Sequence, residues 1–273
     1  MEFEENYDPY QHFAKLQIFI QSSLGEPVEP TTEEVLNKWE QMANNLPPRT
    51  FMFMVDIRKS DVVRAAGMSL LGYADNFRFN TANFIEWTHE NQKNLVAYLT
   101  LSMYEVFFDY PNLIRNKSFE YCTTRGIKDR HGKYWNTHQA AYPAQFDENG
   151  LMVRYISTYR VLGPYTGQPL ETYVYYNDDK YKAELKILSD KVNEIKEGML
   201  QALSLTKQEK WILDLRANAE MSSRQVAEHL EITMKTLHNH HGSINRKARA
   251  AFPLNDFANI NDVISYLKQQ RLI

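Results

Sequence analysis

Apolar residues follow a helical spacing at the start of the chain. Two groups each share one helical face: Phe13, Leu16 and Ile20, then Val35, Trp39 and Met42. They predict helices over 11–22 and 32–44. Pro47 and Pro48 end the second helix, because a residue that precedes proline disfavours the helical conformation.

Between residues 51 and 162 the period changes to the alternation that is typical of strands. Five strand-like runs are present, at 51–57, 62–68, 118–128, 133–145 and 151–162. A helical stretch from Ala82 to Phe108 separates the second run from the third. Turn-forming residues at 129–132 and 147–150 connect the last three runs as hairpins. This pattern predicts an antiparallel sheet with flanking helices.

A further apolar stripe recurs at alternating spacings of four and three, the heptad seam typical of a coiled coil. It consists of Tyr181, Leu185, Leu188, Val192, Ile195, Met199 and Ala202. Gly198 weakens its C-terminal end. Two arrangements agree with the stripe: a coiled coil between two protomers, or a helix that packs back on the sheet of its own chain.

Three helix start signals lie in residues 205–273. Thr206 with Glu209 and Ser222 with Gln225 have the spacing of a capping box, and Thr233 is a third N-cap. The pattern buries Trp211, Ile212, Leu215, Val226, Ala227, Leu230, Ile232, Leu237 and Ile244, then Val263, Ile264 and Leu267 on a last helix over 261–270. The small side chain of Ala227 suits two helices that cross closely at a tight turn.

These residues resemble the LuxR-type helix-turn-helix family. The matching positions are Leu205, Thr206, Glu209, Ser222, Val226, Ala227, Leu230, Ile232, Thr233, Thr236, Leu237, His240, Ile244 and Lys247. The chain departs from the family at Met221, where Gly is usual, and at His238 and Gly242, where many members have Lys or Arg. The resemblance implies a four-helix domain that binds double-stranded DNA, whose fourth helix commonly makes a dimer contact.

The resemblance also implies that the segment beginning at Thr233 is the recognition helix, which reads bases from its N-terminal part. The expected DNA-binding residues are Thr233, Lys235, Thr236, His238, Asn239, His240, Arg246 and Lys247. Asn239 is suited to an adenine edge and His238 to a guanine. Arg246 and Lys247 are expected on phosphates, which position the protein without specifying a sequence.

The distribution of charge agrees with a DNA-binding C-terminal region. Residues 205–273 hold ten Lys and Arg against seven Asp and Glu, although the whole chain has a net charge of −3. No acidic residue lies between positions 232 and 255, so phosphate attraction is favoured there. The alternatives are a merely solvated helix face and a metal site at His238, His240 and His241, which cannot all face one ion from one helix.

The order of two strands, helices and three meandering strands resembles a PAS domain. Local phrases agree: LLGY at 70–73, WTHEN at 87–91, KDRHGKYW at 128–135 and FDENG at 146–150. The resemblance implies a sensor of a small ligand, haem, flavin or partner protein, and the cofactor stays unknown. Trp87, Tyr121 and Trp135 are candidate ligand-binding residues, although aromatic residues at strand spacing more often form plain core.

Three further observations bear on chemistry in this region. Cys122 lies in Tyr-Cys-Thr-Thr, not in the Asn-Cys-Arg context of a flavin photosensor of this fold. His89 and His138 are more often structural than haem ligands. Asp56 ends an apolar strand, as in a phospho-accepting receiver domain, but a receiver needs alternating strands and helices, and meandering strands follow here. No catalytic residue and no metal ligand is predicted.

The composition of the chain indicates the cellular compartment in which the protein is expected. The single cysteine excludes an internal disulfide and fits a reducing cytoplasm. No apolar run is long enough to span a membrane, and the acidic N-terminus lacks the apolar core of a signal peptide. We therefore expect a cytoplasmic protein with no membrane partner.

Together these patterns predict an α+β chain. We expect an N-terminal helical flank (1–45), a PAS-like antiparallel sheet with flanking helices (46–175), an amphipathic linker helix (176–204) and an all-α, four-helix LuxR-type helix-turn-helix domain (205–273).

The function that this organisation implies is a homodimeric transcriptional regulator. A signal, either a small molecule or a protein partner, would bind the PAS-like domain and act through the linker on the DNA-binding domain. The alternative is an interaction module in which the PAS-like domain binds a protein and the helix-turn-helix is a scaffold. An enzyme is not expected, because the sequence has no phosphate loop, metal-ligand cluster or Ser-His-Asp constellation.

Overall fold

The computed structural model describes residues 30–74, 76–109, 111–115, 119–176, 190, 193–194, 196–252, 255–270 and 272–273. These residues form two compact units, one that ends at Val192 and one that begins at Asn193. We call them the sheet unit and the helical unit. With an antiparallel sheet and a separate group of helices, the chain has the α+β fold that the sequence predicts.

The sheet unit is built on one antiparallel sheet with the strand order β2-β1-β5-β4-β3-β6. The strands are β1 (Thr50–Asp56), β2 (Asp61–Ala66), β3 (Phe119–Lys128), β4 (Tyr134–Phe146), β5 (Met152–Pro164) and β6 (Glu171–Tyr176). The first five confirm the predicted strands to within two residues at each end. The sixth was missed, and it pairs with β3 at the edge of the sheet. This sheet with its flanking helices is a PAS-like fold.

Four described helices belong to this unit: α1 (Glu33–Asn44), α2 (Thr81–Trp87), α3 (Glu90–Asp109) and α4 (Pro111–Arg115). The helical stretch predicted over 82–108 is present as the two helices α2 and α3, which are separated at Thr88, where the chain becomes extended. Thr88 forms an isolated bridge with Ile127 of β3, and its hydroxyl donates to the Phe84 carbonyl at 3.1 Å. The helix predicted over 11–22 lies outside the described residues.

Strand β1 is buried on both faces. Phe51, Phe53 and Val55 pack on the side of the sheet that faces α2, while Met52 and Met54 pack against α1. Since successive strand residues point to opposite faces, a strand covered on both sides needs an unbroken apolar run. The run from Phe51 to Val55 supplies it.

The helical unit contains α5 (Lys207–Ala217), α6 (Ser223–His229), α7 (Met234–Ala251) and α8 (Ile260–Gln269). The capping boxes at Thr206 and Ser222 and the N-cap at Thr233 are confirmed. Most of the predicted core is buried, but Trp211 is 55% exposed, so its prediction as a core residue is wrong. Leu230 and Ile232 are only half-buried.

The predicted linker helix is described only at its C-terminal end. Residues 196–202 are helical, and Met199 and Leu203 are buried. The rest of the heptad seam lies outside the described residues, so the two arrangements of the linker stay predictions. Among the helices described here, none combines the length and the apolar character needed to cross a membrane.

Candidate nucleic-acid interface and ligand cavity

Helices α6 and α7 are joined by a tight turn. The backbone amide of Ile232 donates to the Ala227 carbonyl at 3.0 Å, and Glu231 adopts a left-handed conformation with φ of 53°. Val226, Ala227 and Leu237 are buried at this crossing. The turn therefore fixes the direction in which α7 leaves α6, which is the geometry of a helix-turn-helix.

The first turn of α7 is held by Thr233. Its hydroxyl oxygen accepts a hydrogen bond from the Thr236 amide at 3.1 Å and lies 2.9 Å from the Thr236 hydroxyl. The predicted DNA-binding residues Thr233, Lys235, His238 and Asn239 are exposed, and Thr236 is half-buried. Helix α7 thus presents polar side chains at its N-terminal end.

The second half of α7 carries the two residues predicted to contact phosphate, and they differ in environment. Arg246 is exposed. The Lys247 ammonium donates to the Glu209 carboxylate at 2.7 Å and to the Ser204 carbonyl at 2.8 Å. Lys247 therefore ties α7 to the beginning of α5, a structural role that the sequence analysis did not foresee.

The histidines of α7 lie in different environments. His238 is exposed, whereas His240 and His241 are half-buried. The pKa of His241 is lowered to about 4, first by burial and then by the neighbouring positive charges of Arg216, His238 and His240. At neutral pH His241 therefore adds no positive charge to this face. Within the described ranges, no three His, Cys, Asp or Glu side chains are grouped as metal ligands would be.

A second candidate site is a cavity in the sheet unit between α2, α3 and the inner face of the sheet. Its empty space amounts to about 870 Å³ when any part open to solvent is included. Phe84, Leu99, Met103, Tyr104, Tyr155 and Tyr159 supply most of its apolar wall. Deep, mostly apolar cavities with a few polar groups are the usual form of small-molecule sites.

Of the three aromatic residues predicted to bind ligand, Tyr121 lines this cavity and the two tryptophans do not. Trp87 stacks on Tyr73 at 4.9 Å between ring centroids. Trp135 donates its indole N–H to Asp129 at 2.9 Å, and the Lys133 ammonium lies 4.0 Å from the ring centroid. Both tryptophans therefore stabilise local structure, one in an aromatic cluster and one in the β3–β4 turn.

The polar residues of the cavity were not predicted from the sequence. Thr123 donates to the Gln139 side-chain carbonyl at 3.0 Å, and the Gln139 amide donates to the Ser157 hydroxyl at 2.8 Å. Arg125 also lines the cavity and donates to the Tyr159 hydroxyl at 3.0 Å. A sequence pattern that could have predicted them is the alternation of Tyr121, Thr123 and Arg125 along β3. This alternation places three polar or amphipathic side chains on one face of the sheet.

The tyrosine hydroxyls of the cavity are neutral donors. Burial raises the pKa of Tyr104 to about 12 and also raises the pKa values of Tyr121, Tyr155 and Tyr159. Phenol groups that stay protonated at neutral pH can donate a hydrogen bond to an acceptor oxygen.

The remaining candidates of the sheet unit are structural. Cys122 is buried, and burial raises the pKa of its thiol to about 11, so little reactive thiolate is present at neutral pH. His138 shares a hydrogen bond with the Tyr173 hydroxyl at 2.8 Å, and the His89 ring packs against Tyr134 and Tyr165.

Asp56 is inaccessible to a phosphate donor. It is 1% exposed, and the Arg154 guanidinium donates to its carboxylate at 3.0 Å. The Arg58 amide donates to the other carboxylate oxygen at 3.1 Å. A buried carboxylate with these partners is a structural ion pair.

No protein-family model matches the chain, and no curated protein matches it. Among solved structures, the phage VqmA–DPO complex is 11% identical, with a TM-score of 0.30, over 81% of this chain and 89% of that chain. The Vibrio cholerae VqmA–ligand–DNA complex is 13% identical, with a TM-score of 0.27, over 80% and 86% of the two chains. The N-terminal domain of a diguanylate cyclase with PAS/PAC sensor from Marinobacter aquaeolei is 11% identical, with a TM-score of 0.31, over 42% of this chain and 95% of that chain. Superpositions this loose support no functional inference.

Proposed function

We propose that this protein is a DNA-binding transcriptional regulator. In this proposal α7 enters the major groove, and the sheet unit receives the signal that controls DNA binding. The PAS-like domain (46–175), the linker (176–204) and the helix-turn-helix domain (205–273) are its three working parts.

The observation that carries the proposal is the N-terminal half of α7. Lys235, His238 and Asn239 are exposed there, on a helix whose other face is anchored by buried Leu237, Ile244 and Ala248. Recognition helices present their N-terminal residues to base edges in this way. Lys235 and Arg246 are the exposed cations that we assign to phosphates, and Asn239 and His238 are assigned to bases.

The charge around α7 supports the same role. The chain has no acidic residue between positions 232 and 255, so nothing in that segment opposes the approach of a phosphate backbone. We expect Lys247 to contribute less to phosphate binding than Arg246 does, because its ammonium already neutralises the Glu209 carboxylate.

The regulatory step that we propose is non-covalent. Two protomers present two recognition helices to two half-sites, and the spacing between those helices decides whether both can enter the groove. A signal bound in the cavity of the sheet unit changes DNA affinity only if it binds one dimer geometry better than the other. Binding of the signal and binding of DNA are therefore thermodynamically coupled.

The first test measures how DNA affinity depends on salt. Fluorescence anisotropy of a labelled random-sequence duplex, titrated over a series of KCl concentrations, gives the slope of log K against log salt. We expect a steep negative slope that becomes shallower by roughly 1.8 per protomer in the double variant Lys235→Gln/Arg246→Gln, since two phosphate contacts are lost.

The matched control removes the same charge from elsewhere in the helical unit. Lys210 and Lys268 are exposed on α5 and α8, so Lys210→Gln/Lys268→Gln should leave the slope unchanged. If both double variants made the salt slope shallower by the same amount, α7 would not be the contact surface. A wild-type protein whose DNA affinity ignores salt would favour the scaffold alternative.

Sequence preference tests the base contacts separately. After selection of a preferred site from randomised duplexes, Asn239→Ala should cost about 1–3 kcal/mol on that site and little on random DNA. A loss of the same size on both kinds of DNA would remove Asn239 from base recognition.

A further inference from the structure

Arg125 is a buried cation in the wall of the cavity. Its side chain projects from β3, and the residue is only 6% exposed. Taking a guanidinium out of water is costly unless an anion or a full set of acceptors replaces the lost hydration. The partners of this group therefore decide what the cavity is suited to hold.

The described partners of Arg125 are all uncharged. One terminal nitrogen donates to the Tyr159 hydroxyl at 3.0 Å, and the guanidinium lies over the rings of Phe84 and Tyr159 at 4.8 and 5.8 Å from their centroids. The Nε–H group has no hydrogen-bond partner among the described residues. Among the described residues that line the cavity, none is Asp or Glu. Within that part of the chain, the positive charge faces the cavity without a protein anion.

Arg154 shows that a buried arginine of this sheet can have a protein anion as its partner. Arg154, on β5 and separated from β3 by β4, is 3% exposed and donates to the Asp56 carboxylate at 3.0 Å and to Gln145 at 2.8 Å. The sheet thus supplies an anion to one buried guanidinium and leaves the other with aromatic rings and a phenol.

The rest of the cavity sets the size and character of a complementary ligand. Neutral phenols at Tyr104 and Tyr121 supply donors, and Leu99 and Met103 supply apolar wall. The cavity volume proper is about 80 Å³, so a complementary ligand must be small.

We propose that this cavity binds a small organic acid whose carboxylate pairs with Arg125 and whose apolar body lies against Phe84, Leu99 and Met103. A planar carboxylate matches the donor fork of a guanidinium and accepts hydrogen bonds from neutral phenols. This inference deepens the proposed sensor role, but acid binding and DNA binding are separate measurements, so each can fail alone.

The test compares an acid with its neutral isostere on the full-length protein. Benzoate, phenylacetate and hexanoate are the acid probes, and benzamide has the shape of benzoate without its charge. Isothermal titration and thermal shift give affinity and stabilisation. We expect at least one acid to bind, and benzoate to bind about tenfold or more tightly than benzamide, because hydrogen bonds to a charged acceptor are stronger.

Two variants locate the effect. Arg125→Met keeps an unbranched apolar stem up to the position of Nε and removes the charge, so the preference for acid over amide should disappear. Arg160→Gln removes a cation from an exposed position on β5 and should keep that preference. If Arg125→Met does not fold, the wild-type comparison of benzoate with benzamide still decides the matter.

Three results would overturn the proposal. They are binding of none of the three acids, equal affinity for benzoate and benzamide in the wild type, and an acid preference that survives in Arg125→Met. Acid binding without any DNA binding would uphold the cavity proposal and refute the regulator.

Discussion

Glu209 is the residue on which the anchoring of α7 depends. It is 2% exposed at the beginning of α5, and it closes a capping box with Thr206 while accepting the Lys247 ammonium at 2.7 Å. Burial by itself raises the pKa of Glu209. Hydrogen bonds from Lys247, Thr206 and Ser243 outweigh burial and lower that pKa to about 2.

This lowered pKa predicts an acid-sensitive contribution to stability. A group whose folded-state pKa is depressed stabilises the fold above its unfolded pKa, and the stabilisation is lost as pH falls from about 4.5 toward 2. Glu209→Gln should lower the free energy of unfolding by roughly 2–3 kcal/mol at pH 7 and remove this pH dependence. Urea denaturation followed by circular dichroism at pH 7 and pH 3 measures both effects.

The matched control is the exposed ion pair between Arg224 and Glu228, at 2.9 Å on α6. Glu228→Gln should cost less than about 1 kcal/mol, because solvent screens an exposed pair. If both glutamine variants lost the same free energy of unfolding, the buried Glu209–Lys247 pair would stabilise the fold no more than an exposed pair does.

His241 predicts a second, higher pH window. Its folded pKa, lowered mainly by burial to about 4, lies below the 6.5 of an unperturbed histidine. The unfolded chain takes up the proton first, so stability should fall as pH decreases from 6.5 to 4. His241→Gln should flatten this slope, whereas substitution of exposed His229 should not. A histidine NMR titration that placed His241 near 6.5 would contradict the prediction.

At the scale of elements, α7 depends on its first turn. Thr233 satisfies the Thr236 amide, one of the four donors that a helix N-terminus leaves unpaired. Since α7 carries the proposed DNA contacts, order in this turn also sets the positions of Lys235 and Asn239.

Removal of the cap should therefore cost stability that a conservative change retains. Thr233→Ala is expected to lower the free energy of unfolding by about 0.5–2 kcal/mol, and Thr233→Ser by much less, because serine keeps the accepting oxygen. Thermal unfolding of the two variants makes the comparison. An equal loss in both would assign the effect to the methyl group of threonine and not to the cap.

Prediction from sequence succeeded or failed at this scale according to how local the signal is. The caps at Thr206, Ser222 and Thr233 were found because donor and acceptor lie three residues apart. Strand β6 was missed because its partner β3 begins about fifty residues earlier, and a short edge strand carries little pattern of its own. The position of the break between α2 and α3 was not predicted either; it lies at Thr88, which forms an isolated bridge with the distant Ile127.

At the scale of the whole molecule, the proposed function needs two protomers. The heptad seam fits either a coiled coil between two protomers or a helix packed on the sheet of its own chain, and the proposed function requires the first; most positions of the seam lie outside the described residues. We expect the wild-type protein to sediment with the mass of two chains. Leu188→Asp/Val192→Asp should produce monomers and weaken DNA binding. In a dimer, binding of one recognition helix holds the second at a high effective concentration near its half-site, and a monomer loses this gain in affinity.

A charge change outside the seam controls for altered electrostatics. Lys191→Asp changes the charge by as much as the two seam substitutions together but leaves the apolar stripe intact, so the dimer should persist. Sedimentation velocity of all three proteins decides the outcome. A double variant that remained dimeric would place the contact elsewhere, for example on α8.

The sequence by itself determined the two kinds of architecture, most strand bounds, the helix caps and the resemblance to a helix-turn-helix. These features depend on neighbours within a few residues, on side-chain period and on backbone preference. The tertiary structure alone decided that Trp211 is exposed, that Lys247 neutralises Glu209 and that Trp87 and Trp135 lie outside the cavity. It also decided that none of the described residues places a carboxylate beside Arg125. Such facts depend on which distant side chains meet in space, and the spacing of residues along one chain does not encode that.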